Sequence, residues 1–181
     1  MWEVIFSIFI SLMRKDCSYG VVVVRKVAWS VDDLTLEDGK YWKKFELLLV
    51  QHKNGWHWWL PKWHPQWDES HEQTALREVF EETGVKVECV IPGISFVEQY
   101  RFIALWENKE VDKTVVYFLA IIDQEDQTLF DLDDCDEDVD VAYEEIVSVA
   151  WVIIDEAIDL VMYHENARII GEVREFLDAR Y

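Results

Sequence analysis

Glycine is scarce in this sequence: six residues in a chain of 181, where average usage of about 7% predicts roughly 13. Tryptophan is in excess by about the missing amount, with ten residues. Positive charge is scarce too, since 17 Lys and Arg stand against 37 Asp and Glu and the formal net charge is −20. That balance argues against unaided binding to nucleic acid or to an anionic membrane, because both need positive surface. A phosphate substrate would also meet an unfavourable overall field, so its site needs a metal and local Lys or Arg. Cys17, Cys89 and Cys135 are scattered, with no C-x-x-C pair and no nearby His spacing. They read as thiols of a reducing compartment, which makes the cytoplasm the expected location. The only long apolar run at the start, MWEVIFSIFISL, is shorter than the roughly 20 residues a membrane span needs. Its basic pair, Arg14 and Lys15, comes after the run instead of before it, unlike a signal peptide. Residues 1–12 are therefore read as an extension ahead of a start at Met13, and residues 13–181 as one domain.

Half of the chain is apolar, enough for one real core. Strand-like and helix-like stretches alternate, which predicts an α/β or α+β arrangement of layers. Tyr19 to Arg25 (YGVVVVR) is uninterrupted and β-branched, as in a strand buried on both faces. Phe45 to His52, Lys86 to Ile91, Ser95 to Trp106, Lys113 to Ile122 and Ile146 to Ile154 read as further strands. Helical periodicity runs from Asp155 onward. Residues 123–145 carry twelve acids but lack the central glycine and correctly spaced final glutamate of a calcium loop, and so read as a solvated loop.

The chain is organised around the segment from Trp58 to Val85. Its second half reads as one helix, with Ser70 and Gln73 spaced as a capping box and Gly84 placed to end it. At 100° per residue, Ala75, Leu76, Val79, Phe80 and Thr83 fall on one side, and Arg77, Glu78, Glu81 and Glu82 on the other. Like charges at i,i+4, here Glu78 and Glu82, repel by a few tenths of a kcal/mol on a solvated helix. A hard divalent cation reverses that sign, because Mg²⁺ takes carboxylate oxygens together with substrate phosphates.

The order Glu69, seven residues, Arg77-Glu78-Val79, one residue, Glu81-Glu82, one residue, Gly84-Val85 resembles the Nudix box, G-x5-E-x7-R-E-U-x-E-E-x-G-U with U a bulky aliphatic. Eight of nine fixed positions match, and the exception is the first glycine, where this chain has Trp63. The resemblance implies an α/β/α sandwich with a mixed sheet between helices, and hydrolysis of a nucleoside diphosphate linked to another moiety. It implies Glu78 and Glu82 as principal ligands of Mg²⁺, or of Mn²⁺ in its place, with Glu81 as a further ligand, direct or through water. Glu69 and Arg77 would brace the loop against the helix. Glu145, the first residue of EIVSVAWVIIDEA, matches the catalytic or metal-binding glutamate at which the similar stretch begins, and is the candidate general base, with Glu144 its rival.

Three shorter stretches, FELLLVQH…GWHWWLPK, KTVVYFLA and EEIVSVAW, resemble the asymmetrically cleaving dinucleoside tetraphosphate hydrolases within that family. This implies His57 and Lys62 near the polyphosphate, and Lys113 and Tyr117 on phosphate and base, with Tyr117 offering a stacking face. The leading expectation is conversion of diadenosine tetraphosphate to ATP and AMP by a monomer or homodimer. Pyrophosphohydrolysis of oxidised dNTPs or RNA 5′ ends is the alternative. A non-catalytic nucleotide-binding protein is a third reading, resting on Trp63, where the family glycine serves backbone angles a bulky residue resists. The glycine deficit and tryptophan excess share one explanation: UGA codons that specify glycine, read as tryptophan, at 56, 59, 63 and 67.

Overall fold

The structure, a computed structural model, describes residues 14–27, 45–53, 56–105, 107–122 and 146–181. In chain order these form β1 (Arg14–Lys26), β2 (Phe45–His52), β3 (Trp58–Trp59), β4 (Lys62–Trp63), α1 (His71–Thr83), β5 (Ser95–Ala104), β6 (Lys109–Ile122), β7 (Ile146–Ile153), α2 (Ile154–Leu160) and α3 (His164–Asp178). Glu144, Glu145, the acidic segment 123–145 and residues 1–13 lie outside the described residues. Among the described residues no helix is long and apolar enough to cross a membrane.

The run of valines in β1 explains the layering. Val21, Val22, Val23 and Val24 are all fully buried, and they alternate between two cores. Val22 and Val24 join Leu47, Leu49, Leu119 and the apolar faces of α2 and α3. Val21 and Val23 join Leu48, Ala75, Val79 and Val85 beneath α1. Each buried valine contributes on the order of 1.5–3 kcal/mol, and a sheet covered on both faces needs such an unbroken run. The result is a mixed sheet between helices.

β1 and β6 run parallel from Arg14↔Val111 to Arg25↔Ile122, and β5 pairs antiparallel with β6. β7 lies antiparallel along β2. On its other side β1 meets β2 only from Val24 to Lys26, after which the two strands diverge. The segment after β2 fills the gap: Trp58 and Trp59 pair with β2, and Lys62 and Trp63 pair with β1 opposite Gly20 and Tyr19. The crossing is so close that a Cβ on Gly20 would stand 2.2 Å from the Pro61 carbonyl oxygen and 2.9 Å from the Tyr117 ring. Glycine is required here for space, and this fixes where Lys62 enters the sheet.

Several expectations are corrected. β1 begins five residues before Tyr19 and β6 four before Lys113, because each supplies the other's ladder. Lys86 to Ile91 is not a strand. Val85, Val87 and Val90 are buried under α1, so their pattern records core lining. The C-terminal helical stretch is broken at Val161, which bridges to Trp58. On α1 the apolar face is rotated from the sequence reading: Phe80 is 47% exposed, whereas Glu78 and Glu82 are 2% and 3% exposed. Ala75 and Val79 pack against the sheet, and the buried side of the helix extends past that apolar stripe to take in both carboxylates.

Candidate active site

α1 starts and stops where its local chemistry dictates. The Gln73 N–H donates to Ser70 Oγ at 3.2 Å and the Ser70 N–H to Gln73 Oε1 at 2.8 Å, a closed capping box. Gly84, at φ 75°, donates its N–H to the Phe80 carbonyl, an end that favours glycine. Asp68, at φ 70°, turns the chain into the helix just before Glu69.

Arg77 gathers the acids of this segment. Its Nε and Nη2 donate to Glu69 Oε1 and Oε2 at 2.6 and 2.9 Å. Its Nη1 donates to Glu81 Oε2 at 2.7 Å and also to Glu78 Oε1. A two-pronged guanidinium–carboxylate pair is among the strong charged contacts. Glu69 also accepts from the Gln66 N–H and the Thr74 hydroxyl. These bonds, Arg77 foremost, hold the Glu69 carboxyl down at about 2. Glu78 moves the other way: burial pushes it up to about 7 despite the adjacent guanidinium.

Opposite this helix stands a wall assembled from remote parts of the chain. Lys62 enters from β4. Burial lowers its pKa, while the charges of Glu82 and Glu98 support its ammonium. Its Nζ lies 4.3 Å from the Trp59 ring centroid, a cation–π distance. Lys113, on β6, is buried; its Nζ is 3.0 Å from Asp16 Oδ2 and 2.9 Å from His64 Nε2. Glu98 on β5 is buried and accepts from Asn166 Nδ2 of α3 at 3.3 Å. Burial raises its carboxyl.

Tyr117 is part of this wall but not as expected. It is fully buried within the core, so its ring offers no stacking face, and the proximity of Gly20 explains why. Among the described residues, its hydroxyl oxygen and Asn166 Oδ1 are buried without a hydrogen-bond partner. His57 lies in an aromatic cluster, 4.5 Å from Trp59, 5.6 Å from Tyr163 and 6.1 Å from His52 between ring centroids. Its Nε2 is buried and has no partner among the described residues. Burial, reinforced by Lys62 and His57, lowers the His52 imidazole to about 4.

The structure thus places Lys113, Tyr117 and Glu98 on the face of the sheet that carries α3, sets Lys62 within electrostatic reach of Glu82, Glu98 and Lys113, and gathers Glu69, Glu78 and Glu81 on Arg77. Sequence reasoning missed Asp16, His64, Glu98 and Asn166. His64 could have been found, since it lies between Lys62 and Glu69. The other three are placed only by strand register and helix docking. Trp63, expected to strain the loop, sits in β4 with no positive φ; among the described residues the strained tryptophan is Trp56, at φ 56°.

A family model for the NUDIX domain matches residues 25–172. The chain belongs to the Nudix family. The asymmetrical bis(5′-nucleosyl)-tetraphosphatase of Sus scrofa is 33% identical over 133 residues, which cover 73% of this chain and 80% of that protein. Its counterpart in Rattus norvegicus is 29% identical over 161 residues, 87% and 92% of the two chains. Among solved structures, a binary complex of the C. elegans Ap4A hydrolase superposes with a TM-score of 0.64 at 24% identity, covering 91% of this chain and 98% of that one. The fold is the Nudix fold.

The donor set of α1 suits a hard divalent ion. Glu78 and Glu82 stand one helical turn apart, both buried, and burial of Glu78 penalises its ionised form. A bound cation relieves that penalty. Among the described residues no three His, Cys, Asp or Glu side chains form a closed cation site. Arg77 engages Glu78 and Glu81 as they stand.

Proposed function

We propose that this protein hydrolyses a nucleoside diphosphate linked to another moiety, and foremost dinucleoside polyphosphates, converting diadenosine tetraphosphate to ATP and AMP. The observation that carries the reading is the apposition of buried carboxylates with the buried Lys113 and the half-buried Lys62. Glu82 of the box lies within electrostatic reach of Lys62, and Lys62 of Lys113, in a chain of net charge −20. Local cations of this kind are what a polyphosphate needs to enter such a field. Family membership and the likeness to the Sus scrofa tetraphosphatase support the same substrate class.

In this reading Glu78 and Glu82 hold Mg²⁺, or Mn²⁺ in its place, and Glu81 adds a ligand directly or through water. When bound, the metal neutralises phosphate charge and orients the attacking water, the main help a pyrophosphoryl centre needs. Lys62 and Lys113 act as point-charge partners of the phosphate oxygens. His57 borders the phosphate path through the Trp58–Lys62 segment. Arg77 and Glu69 keep α1 and its entry loop in register, with Glu82 in electrostatic reach of Lys62. Glu145 takes the proton of the attacking water as general base. The protein acts on small nucleotides in the cytoplasm, as a monomer or homodimer.

Product analysis tests the reading: ATP plus AMP from diadenosine tetraphosphate supports it, and two ADP overturns it. The variant Glu82→Gln is expected to abolish Mg²⁺-dependent turnover while circular dichroism and melting temperature keep their native form. Undiminished activity in that variant would remove the metal assignment.

A further inference from the structure

The wall contains two carboxylates on which the proposed chemistry makes no demand, Glu98 beside Asn166 and Asp16 beside Lys113. Asp16 lies opposite Lys113 in the parallel β1–β6 ladder. Its Oδ2 is 3.0 Å from Lys113 Nζ, and its Oδ1 is 3.0 Å from His64 Nε2. Arg14 Nη2 stands 3.5 Å away. The side chains of Lys113 and Asp16 are 7% and 14% exposed, so this is a largely desolvated pair. Burial raises the Asp16 carboxyl, but the contacts with Lys113 and His64 outweigh that and hold it below its usual value.

Two features show that this pair is not a settled structural bridge. The ammonium it neutralises is the one proposed to receive substrate phosphate, and a phosphate oxygen there would compete with Asp16 and His64 for its three N–H donors. His64 Nε2 is also within hydrogen-bond distance of both the ammonium and the carboxylate. A single ring nitrogen either accepts from the first or donates to the second. The three side chains therefore make more close contacts than they can satisfy together, and an added anion partner for Lys113 releases His64 to serve Asp16.

We propose that Asp16 is a positioning residue that occupies Lys113 as an internal competitor until a polyphosphate displaces it, setting how highly charged an anion must be to bind. This deepens the substrate reading above and rests on Lys113 as a phosphate receptor. Weakly charged anions fail to displace a desolvated carboxylate already at contact distance. A polyphosphate, anchored at several points, succeeds. Asp16 thereby lowers occupancy of the site by orthophosphate and pyrophosphate, and raises KM for substrate without touching the reacting atoms.

The test is calorimetric titration of the full chain with pyrophosphate at pH 7 and fixed Mg²⁺. Asp16→Asn keeps the shape and removes the charge, and Asp16→Ser removes both. Each is expected to bind pyrophosphate at least fivefold tighter than the parent and to show a lower KM with kcat within twofold. Adding Lys113→Gln to Asp16→Asn is expected to erase the gain. Asp112→Asn, the same charge change one residue from Lys113, controls for net charge and is expected to shift affinity less than twofold. Equal or weaker pyrophosphate binding by both Asp16 variants, with native melting temperatures, overturns the proposal. So does an equal gain in Asp112→Asn. If dinucleoside tetraphosphate goes uncleaved by every form, the substrate reading fails alone, because the calorimetric shift does not depend on turnover.

Discussion

Glu69, Arg77, Glu78 and Glu81 all come from α1 and its entry loop, whereas the wall facing them draws Asp16, Lys62, Glu98, Lys113 and Asn166 from β1, β4, β5, β6 and α3. The first half is held by contacts within eight residues of one another, all centred on Arg77. The second is held by pairs 48 to 97 residues apart, from His64 with Asp16 to Lys113 with Asp16, and including Glu98 with Asn166. Local contacts bring a helix its own cation and leave its acids individually satisfied. Long-range contacts bury lysines against whatever charge the sheet supplies. A site that must bind an anion with a cation needs both, one to present acids to a metal and one to present lysines to phosphate.

The largest way to break this comparison is to move the wall away from the helix. Gly20→Ala places a Cβ 2.2 Å from the Pro61 oxygen, and backbone cannot yield as a side-chain end can. Overpacking of this kind costs about 3 kcal/mol, lowering the melting temperature by roughly 6–12 °C for a chain of this size. Differential scanning calorimetry reads it. The same variant is expected to lose phosphate affinity through displaced Lys62 while α1, closed at its ends by the Ser70–Gln73 box and Gly84, keeps its helical signal.

Next in size is the acid brace. Glu69→Gln removes the charge that Arg77 grips with two bonds, at a cost of about 2 kcal/mol near neutral pH. The sign with pH follows from the depressed carboxyl. Its folded pKa, about 2, lies below its unfolded value of about 4.3, so its stabilisation is complete above that unfolded value and is lost as pH falls toward 2. Urea unfolding at pH 7, 4 and 2.5 should show parent and variant converging at the acid end.

Glu98 sharpens the contrast because its shift has the opposite sign. Burial raises its pKa in the fold, so the native state binds more protons than the unfolded chain. Its contribution therefore falls as pH rises from the unfolded value through the raised one. Glu98→Gln keeps an acceptor for Asn166 and is expected to be about 1 kcal/mol more stable than the parent at pH 8, with no gain at pH 4. A loss at pH 8 would show that the Lys62 charge outweighs desolvation.

The same division sets what can be read from the sequence. Helix α1, its capping box and Gly84 are legible because their partners lie three or four residues away. The layering is legible because four consecutive valines cannot all be covered on one face. The rotation of α1 is not, since hydrophobicity ranks Phe80 above Glu78, and only the docked sheet shows Glu78 covered and Phe80 at the rim. Tyr117 failed for the same reason: whether a strand tyrosine stacks on a base or fills a core depends on Gly20, which closes on its ring from the neighbouring strand. Asp16 carries no local signal at all, and its role exists only in register with Lys113.

The smallest effect concerns the tryptophans of the entry segment, and it separates two of them. Trp56 has φ 56° and is 69% exposed. A left-handed backbone costs a non-glycine residue roughly 1–2 kcal/mol, while glycine gives back about 0.5–1 through unfolded-chain entropy. Since so exposed a ring buries little, Trp56→Gly is expected to stabilise by about 0.5 kcal/mol. Trp63 lies in extended β4, paired with Tyr19, where glycine only weakens a strand; Trp63→Gly is expected to destabilise by about 1 kcal/mol. Paired denaturation curves check both signs. A stabilised Trp56→Gly supports reassigned UGA at that codon, where a left-handed turn asks for glycine. UGG codons at 56, 59, 63 and 67 in the gene rule the reassignment out and leave Trp56 as strain the fold tolerates.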